Sequence, residues 1–153
     1  MLEKEKSFTK DLSRCYNVSD ELYHRLSLHY GMPDSHLWVL YSLYFGGRPC
    51  TPKELAETWS LPKQTVHSAL KALQQGGYLT MQRSEENGRN RLILLTEEGM
   101  KLAARLIEPV IAAEERALAC LDAKEQRQLV GLMDRYNRAL REELEGLMKE
   151  VQE

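Results

Sequence analysis

Residues 59–79, WSLPKQTVHSALKALQQGGYL, decide how this chain is read. Within them Val66, Leu70 and Leu73 fall at i, i+4 and i+7, one stripe of a helix. The rest of that helix carries Lys63, Gln64, Thr65, His67, Ser68 and Lys71, and no carboxylate occurs from 63 to 75. Pro62 suits a first helical position and Gly76-Gly77 a stop, so the pattern predicts a helix over 62–75. A short helix rich in hydrogen-bonding groups and free of acid suits a surface that meets a polyanion. The alternative is a plain solvated face.

Just upstream, TPKE at residues 51–54 is a strong helix start. Thr51 can cap, Pro52 suits the first position, and Glu54 completes a capping box. That helix runs to about Thr58, and WSLP turns the chain into the next one. Two short helices joined by a tight turn form a helix-turn-helix. Downstream, YLTMQR and RNRLILL flank SEENG, and Asn87-Gly88 is a favoured hairpin dipeptide, so residues 79–95 read as a two-stranded ribbon. A helix-turn-helix followed by a hairpin is a winged helix.

Two helices precede this unit. Leu12, Tyr16, Tyr23, Leu26 and Tyr30 share one face of a first helix that starts near Leu12 and ends at Gly31 and Pro33. Leu37, Leu40, Tyr41 and Tyr44 mark a second, with Asp34 or Ser35 as its cap and Gly46-Gly47 as its end. After the ribbon, TEEG starts a helix at Thr96 that Pro109 is expected to kink, and DAKE at 122–125 is another capping box. The final helix spaces Leu129, Met133, Tyr136, Leu140, Leu144 and Leu147 by four, three, four, four and three, a near-heptad seam. The expected fold is mainly α with a small β-hairpin wing. Within residues 1–153, a winged-helix DNA-binding part spans about 35–97 and helical dimerisation parts span about 8–32 and 98–150. The outer seams call for a partner, and a second copy of the chain, making a homodimer, is the simplest.

With 153 residues, 42% apolar and 29% charged, the chain is long enough for one domain with a real core. No apolar run approaches the roughly 20 residues of a membrane span, and MLEKEKSFTK is not followed by an apolar stretch, so a cytoplasmic protein is expected. Cys15, Cys50 and Cys120 are scattered and show neither a disulfide framework nor metal-ligand spacing. The net charge of −2 argues against a nucleic-acid partner, but its distribution argues for one. Residues 48–91 hold seven Lys/Arg against four Glu, whereas the remainder holds 14 basic and 19 acidic residues. No nucleophile elbow, phosphate loop or paired metal motif appears, so neither an enzyme nor a cofactor is expected.

Double-stranded DNA is the partner that fits. A major groove admits one α-helix, whose outward side chains read base edges. Gln64 can pair bidentately with adenine. Thr65, His67 and Ser68 can donate or accept, and Lys71 can reach guanine or a phosphate. Arg83, Arg89 and Arg91 on the ribbon suit phosphate or a narrow minor groove, with Glu85 and Glu86 at the tip opposing them. Tyr16, Tyr23, His24, Tyr30, His36, Trp38 and Tyr41 concentrate aromatic rings and imidazoles in the first two helices, a candidate pocket for a planar effector or else mere core filling.

Residues 37–99, from LWVLYSLYFGGRPCTPKELAETWSLPKQTV through LKALQQGGYL to NGRNRLILLTEEG, resemble the MarR family of bacterial transcription regulators. The resemblance implies a homodimer joined through helices of both chain ends, a recognition helix at 62–75 and a wing at 79–95. It implies a repressor of pseudo-palindromic operators, released by small aromatic or lipophilic ligands or by cysteine oxidation. This chain departs from the family pattern at three places: Asn87 stands where the wing's acid precedes Arg89, and Ser68 and Met81 stand where arginines are common. Cys15 lies in the helix that carries the reactive cysteine of peroxide-sensing members, but its RCYNV context fits a buried structural cysteine better. The alternatives to an effector-released repressor are a thiol-switched repressor using Cys15 and a winged helix that binds only protein.

Overall fold

The computed structural model describes the backbone of residues 2–84, 88 and 90–150, and the side chains of 8–84, 88 and 90–149. In order, the elements are α1 (Leu2–His29), α2 (Asp34–Gly46), α3 (Pro52–Thr58), α4 (Lys63–Gln75), β1 (Leu79–Arg83), β2 (Arg91–Leu95), α5 (Glu97–Leu118) and α6 (Ala123–Glu150). They fall into two compact units, Met1–Pro109 and Val110–Glu153. No helix among the described residues is long and apolar enough to cross a membrane.

Local chemistry sets most of the helix ends. Thr51 and Glu54 form the expected capping box: the Thr51 N–H donates to the Glu54 carboxylate at 2.7 Å, and the Glu54 N–H to the Thr51 hydroxyl at 3.2 Å. At its other end α3 closes with Leu61 N–H on the Ala56 carbonyl (3.0 Å) and Ser60 N–H on that of Glu57 (3.4 Å). This is a Schellman closure, and Ser60 holds the left-handed position (φ 49°) where glycine is usual. α4 ends the same way through Gly77 (φ 79°), with Tyr78 N–H on the Leu73 carbonyl at 2.9 Å.

Two sequence expectations are corrected. α1 begins at Leu2, ten residues before Leu12. Glu and Lys in the first turns are good helix formers but leave no apolar stripe to read. α2 has no side-chain cap: Pro33 occupies the cap position, and Asp34 is already helical. The Asp34 carboxylate instead takes His24 Nδ1 at 3.0 and 3.1 Å, joining α1 to α2.

The core of the first unit gathers Leu37, Val39, Leu40 and Leu43 of α2, Leu55 of α3, and Val66, Ala69, Leu70 and Leu73 of α4. Leu79 and Ile93 from the ribbon and Ala103, Leu106 and Ile107 from α5 complete it. Each large aliphatic side chain buried here contributes roughly 1.5–3 kcal/mol. β1 and β2 pair antiparallel from Leu79↔Leu95 to Arg83↔Arg91. The Cys50 carbonyl accepts from Ile93 N–H at 2.8 Å and adds a rung on the far side of β2.

The ribbon leaves and re-enters this unit at one place. Thr96 N–H donates to the Tyr78 carbonyl at 3.1 Å, and the Thr96 hydroxyl to the Gly77 carbonyl at 2.6 Å. The same hydroxyl accepts from Gly99 N–H at 3.0 Å and so caps α5, as the sequence predicts. Gly99 lies so close that an added Cβ would stand 1.7 Å from the Tyr78 carbonyl oxygen.

In the second unit the Asp122 side chain caps α6 by accepting from Lys124 and Glu125 N–H at 2.7 and 2.9 Å, while Glu125 returns to Asp122 N–H at 2.9 Å. The Gln126 amide donates to the Leu118 and Leu121 carbonyls and braces the turn before α6. Along α6, Leu129, Leu140, Leu144 and Leu147 are exposed, with Leu147 at 56%. On α1, Phe8, Val18, Leu22 and Leu28 are exposed as well.

Two measurements check this account. Gly99→Ala should destabilise by about 3 kcal/mol or more, since backbone rather than a side chain must move. Gly131→Ala in α6, with open space at its Cβ, should instead gain about 0.5–1 kcal/mol. Thermal melts that rank the two alike would contradict the contact. The Thr51 N–H, and after it the Thr51 hydroxyl, hold the Glu54 carboxyl below its ordinary value. A lowered folded pKa gives stability above the unfolded value, lost as pH falls through the folded one. Below the ordinary glutamate value of about 4.3, wild type should therefore lose melting temperature more steeply than Glu54→Gln. Parallel acid profiles would remove the box from the stability of α3.

Candidate nucleic-acid interface

α4 buries Val66, Ala69, Leu70 and Leu73, and the opposite stripe is Gln64, Ser68, Lys71 and Gln75, all exposed. Lys63 and His67 lie beside that stripe and are exposed too, whereas Thr65 is half-buried at its edge. Gln75 is absent from the sequence reading. Its spacing of four from Lys71 was the available signal, obscured by nearness to the glycine stop. None of Lys63, Gln64, Thr65, His67, Ser68 or Lys71 has a side-chain hydrogen bond or ion pair among the described residues.

The ribbon alternates two faces. Leu79, Met81 and Arg83 share one with Leu95, Ile93 and Arg91. Leu79 and Ile93 are buried, so this face starts in the core and ends in two exposed arginines directly opposite one another. Like charges facing across strands are destabilising unless an anion lies between them. Arg89, with Glu85, Glu86 and Asn87, lies outside the described residues. Between the start of α3 and the ribbon runs a groove of about 790 Å³ edged by Arg48, Lys53 and Arg83. Two of these cations are near acids, Arg48 at 3.7 Å from Glu54 and Lys53 at 3.8 Å from Glu57.

The aromatic set is brought together only in part. Tyr23 and Trp38 lie 4.9 Å apart by ring centroid, and Trp38 lies 5.8 Å from Tyr41. Trp59, at the helix-turn-helix turn, stacks on Trp38 at 5.2 Å and meets Tyr41 edge-on at 5.4 Å. Phe45 stacks on Tyr41 at 5.7 Å. Trp59 and Phe45 were not in the sequence set: Trp59 lies outside the first two helices, while the spacing of Phe45 by four from Tyr41 on α2 was a signal that went unused. Tyr30 turns instead to α5, donating to the Leu106 carbonyl at 3.2 Å, and His24 is held by Asp34. Tyr16 and His36 are half-buried, and burial lowers the His36 pKa. Two smaller hollows, of about 190 and 170 Å³, are lined by none of the seven sequence-derived residues.

Cys15 is exposed on α1, which corrects the expectation of a buried cysteine: its stretch of α1 meets little else in the chain. Cys120 is exposed as well, and Cys50 is half-buried. Burial, and then the Glu54 carboxylate, push the Cys50 thiol pKa up and away from reactivity.

The geometry has counterparts among known proteins. A sequence model of the MarR family matches residues 30–90. An HTH-type transcriptional repressor of Mycobacterium tuberculosis is 33% identical over 82 residues, which are 54% of this chain and 59% of that one. The chain thus spans about three fifths of the length of the curated relatives it matches. The structure of a MarR family regulator from Neisseria meningitidis superposes with a TM-score of 0.78 at 28% identity, covering 88% of this chain and 94% of that one. The PcaV transcriptional regulator of Streptomyces coelicolor, solved with its natural ligand, shares the fold at 24% identity and a TM-score of 0.64, covering 84% and 91%. The helix-turn-helix ending in α4, the antiparallel wing and the flanking helices agree with these likenesses: residues 30–90 match the MarR family of transcriptional regulators, and the fold is similar to that of a MarR family regulator.

Proposed function

We propose that this chain is a homodimeric, sequence-specific DNA-binding repressor that reads its operator with α4. One observation carries the reading: the acid-free outer face of α4, whose polar side chains have no partner among the described residues. A major groove supplies what such a face lacks. Gln64 pairs with adenine, Thr65, His67 and Ser68 take neighbouring base edges, and Lys63 and Lys71 take phosphate or guanine. Arg83, Arg89 and Arg91 bind phosphate or a narrow minor groove. A phosphate there also relieves the repulsion across the ribbon. Repression is supported by the mycobacterial relatives, which are named repressors.

Dimerisation is supported by the exposed leucines of α6 and the exposed apolar residues of α1, which a second copy would cover. An effector site around Tyr16, Tyr23, His24, Tyr30, His36, Trp38 and Tyr41 is supported by the contiguous rings of Tyr23, Trp38 and Tyr41. A neutral imidazole at His36 suits a weakly acidic aromatic there. The ligand carried by the Streptomyces relative supports release by a small molecule. An effector acts only through its differential affinity for the DNA-competent and DNA-incompetent arrangements.

Fluorescence anisotropy with duplexes from the chain's own upstream DNA, against scrambled duplexes, tests the reading. Wild type should prefer one upstream duplex. His67→Ala and Gln64→Ala should each lose roughly 1–3 kcal/mol of discrimination at particular base pairs while keeping non-specific binding. Arg91→Ala should weaken all duplexes alike and reduce the salt slope by about one. Equal affinity of wild type for upstream and scrambled DNA would overturn the proposal. Light scattering should give twice the chain mass at micromolar concentration, and a stable monomer would remove the homodimer.

A further inference from the structure

The geometry points to Trp59 as a positioning residue for α4, holding the pitch of the reading helix through a tie to Ser42 and Trp38. The inference rests on the reading of α4 as the DNA-reading helix. Trp59 ends α3 and begins the turn, yet its indole hydrogen bond and its ring contacts among the described residues are made on α2. The indole N–H donates to the Ser42 hydroxyl at 2.6 Å. The ring stacks on Trp38 at 5.2 Å with 28° between planes, and meets Tyr41 edge-on.

The start of α4 has no side-chain cap, and Val66 is the one core residue of its first turn. α3, α5 and α6 each begin with a side-chain cap, from Thr51, Thr96 and Asp122. α4 begins at Pro62, which offers none. Its buried face seats the helix on the core, and the turn before it sets how its first residues enter. Within that turn Ser60 is the one non-glycine residue among those described with a positive φ. A serine there costs on the order of 1 kcal/mol, so the turn does not hold its shape by local preference alone. The indole, half-buried against α2, supplies the outside constraint. Since Trp38 also touches Tyr23, a continuous row of rings runs from α1 to the end of α3, where the turn into α4 begins.

A purely structural tryptophan would lower stability when altered and leave base preference alone. A positioning tryptophan changes preference. Base-edge hydrogen bonds need angles good to tens of degrees, while phosphate attraction tolerates tilt. Trp59→Phe keeps the ring and removes the donor, Ser42→Ala removes the acceptor, and Ser42→Thr keeps the hydroxyl. Trp59→Phe and Ser42→Ala should each lower the ratio of operator to scrambled-DNA affinity about fivefold, the equilibrium factor of one neutral hydrogen bond. The double variant should be no worse than either single one, and Ser42→Thr should retain the wild-type ratio. A second readout does not involve DNA. Amide exchange at Leu61 and Val66, whose N–H groups close the turn and the first bond of α4, should quicken in both single variants. Unchanged exchange overturns the tie. Quickened exchange with an unchanged affinity ratio reduces Trp59 to a stabilising residue and overturns its role in reading. If wild type itself shows no preference among duplexes, the DNA-reading proposal fails and this one with it, while the exchange data still say whether the tie holds α4.

Discussion

The winged unit depends on one close approach, that of the first turn of α5 to the Gly77–Tyr78 backbone. Thr96 gives its N–H to Tyr78, its hydroxyl proton to Gly77 and its hydroxyl lone pair to Gly99. Gly99 has no side chain to hold the helix away. The stop of α4, the start of β1, the end of β2 and the cap of α5 thereby meet at one threonine and one glycine. The Leu79↔Leu95 pairing is the ribbon's inner end, so its register follows from this junction. The arginines at its outer end are therefore carried on a base with little freedom.

Around that junction the molecule separates its charges by role. α4 keeps every acid away from its outer face, while α3 and α5 open with glutamates that favour their positive helix ends. Arg48 and Lys53 sit near Glu54 and Glu57, which makes them a softer attraction for phosphate than the arginines facing each other on the ribbon. Exposed ion pairs of this kind contribute roughly 0–1 kcal/mol, so their loss to a polyanion costs little.

Much of this was legible beforehand, for a physical reason. Capping boxes, glycine stops and the hairpin dipeptide act within a few residues of themselves, so Thr51–Glu54, Asp122–Glu125, Gly76-Gly77 and the span of the ribbon read directly from sequence. The stripe of α4 was legible because burial there follows helical period. What escaped was polar all round or tertiary. The first ten residues of α1 carry no apolar stripe. Pro33 pre-empts the cap expected of Asp34, which is drawn to His24 across a turn. Trp59 joins the aromatic cluster from α3, an element that nothing in the sequence brings to α2, and the crowding at Gly99 is invisible until Tyr78 lies against it. The side of α1 that carries Cys15 could not be judged buried or exposed from local pattern at all.

The junction at Thr96 and Gly99 has a meaning for synthesis as well as for the finished fold. Helices that end in their own last turn can form as they leave the ribosome, and α2, α3 and α4 have most of what they need once Tyr78 has emerged. The inner end of the ribbon is not tied to α5 until residue 99 is also clear of the exit tunnel. A nascent chain paused before that point presents α4 beside an unfastened strand. One paused after it has the inner end of the ribbon tied to α5.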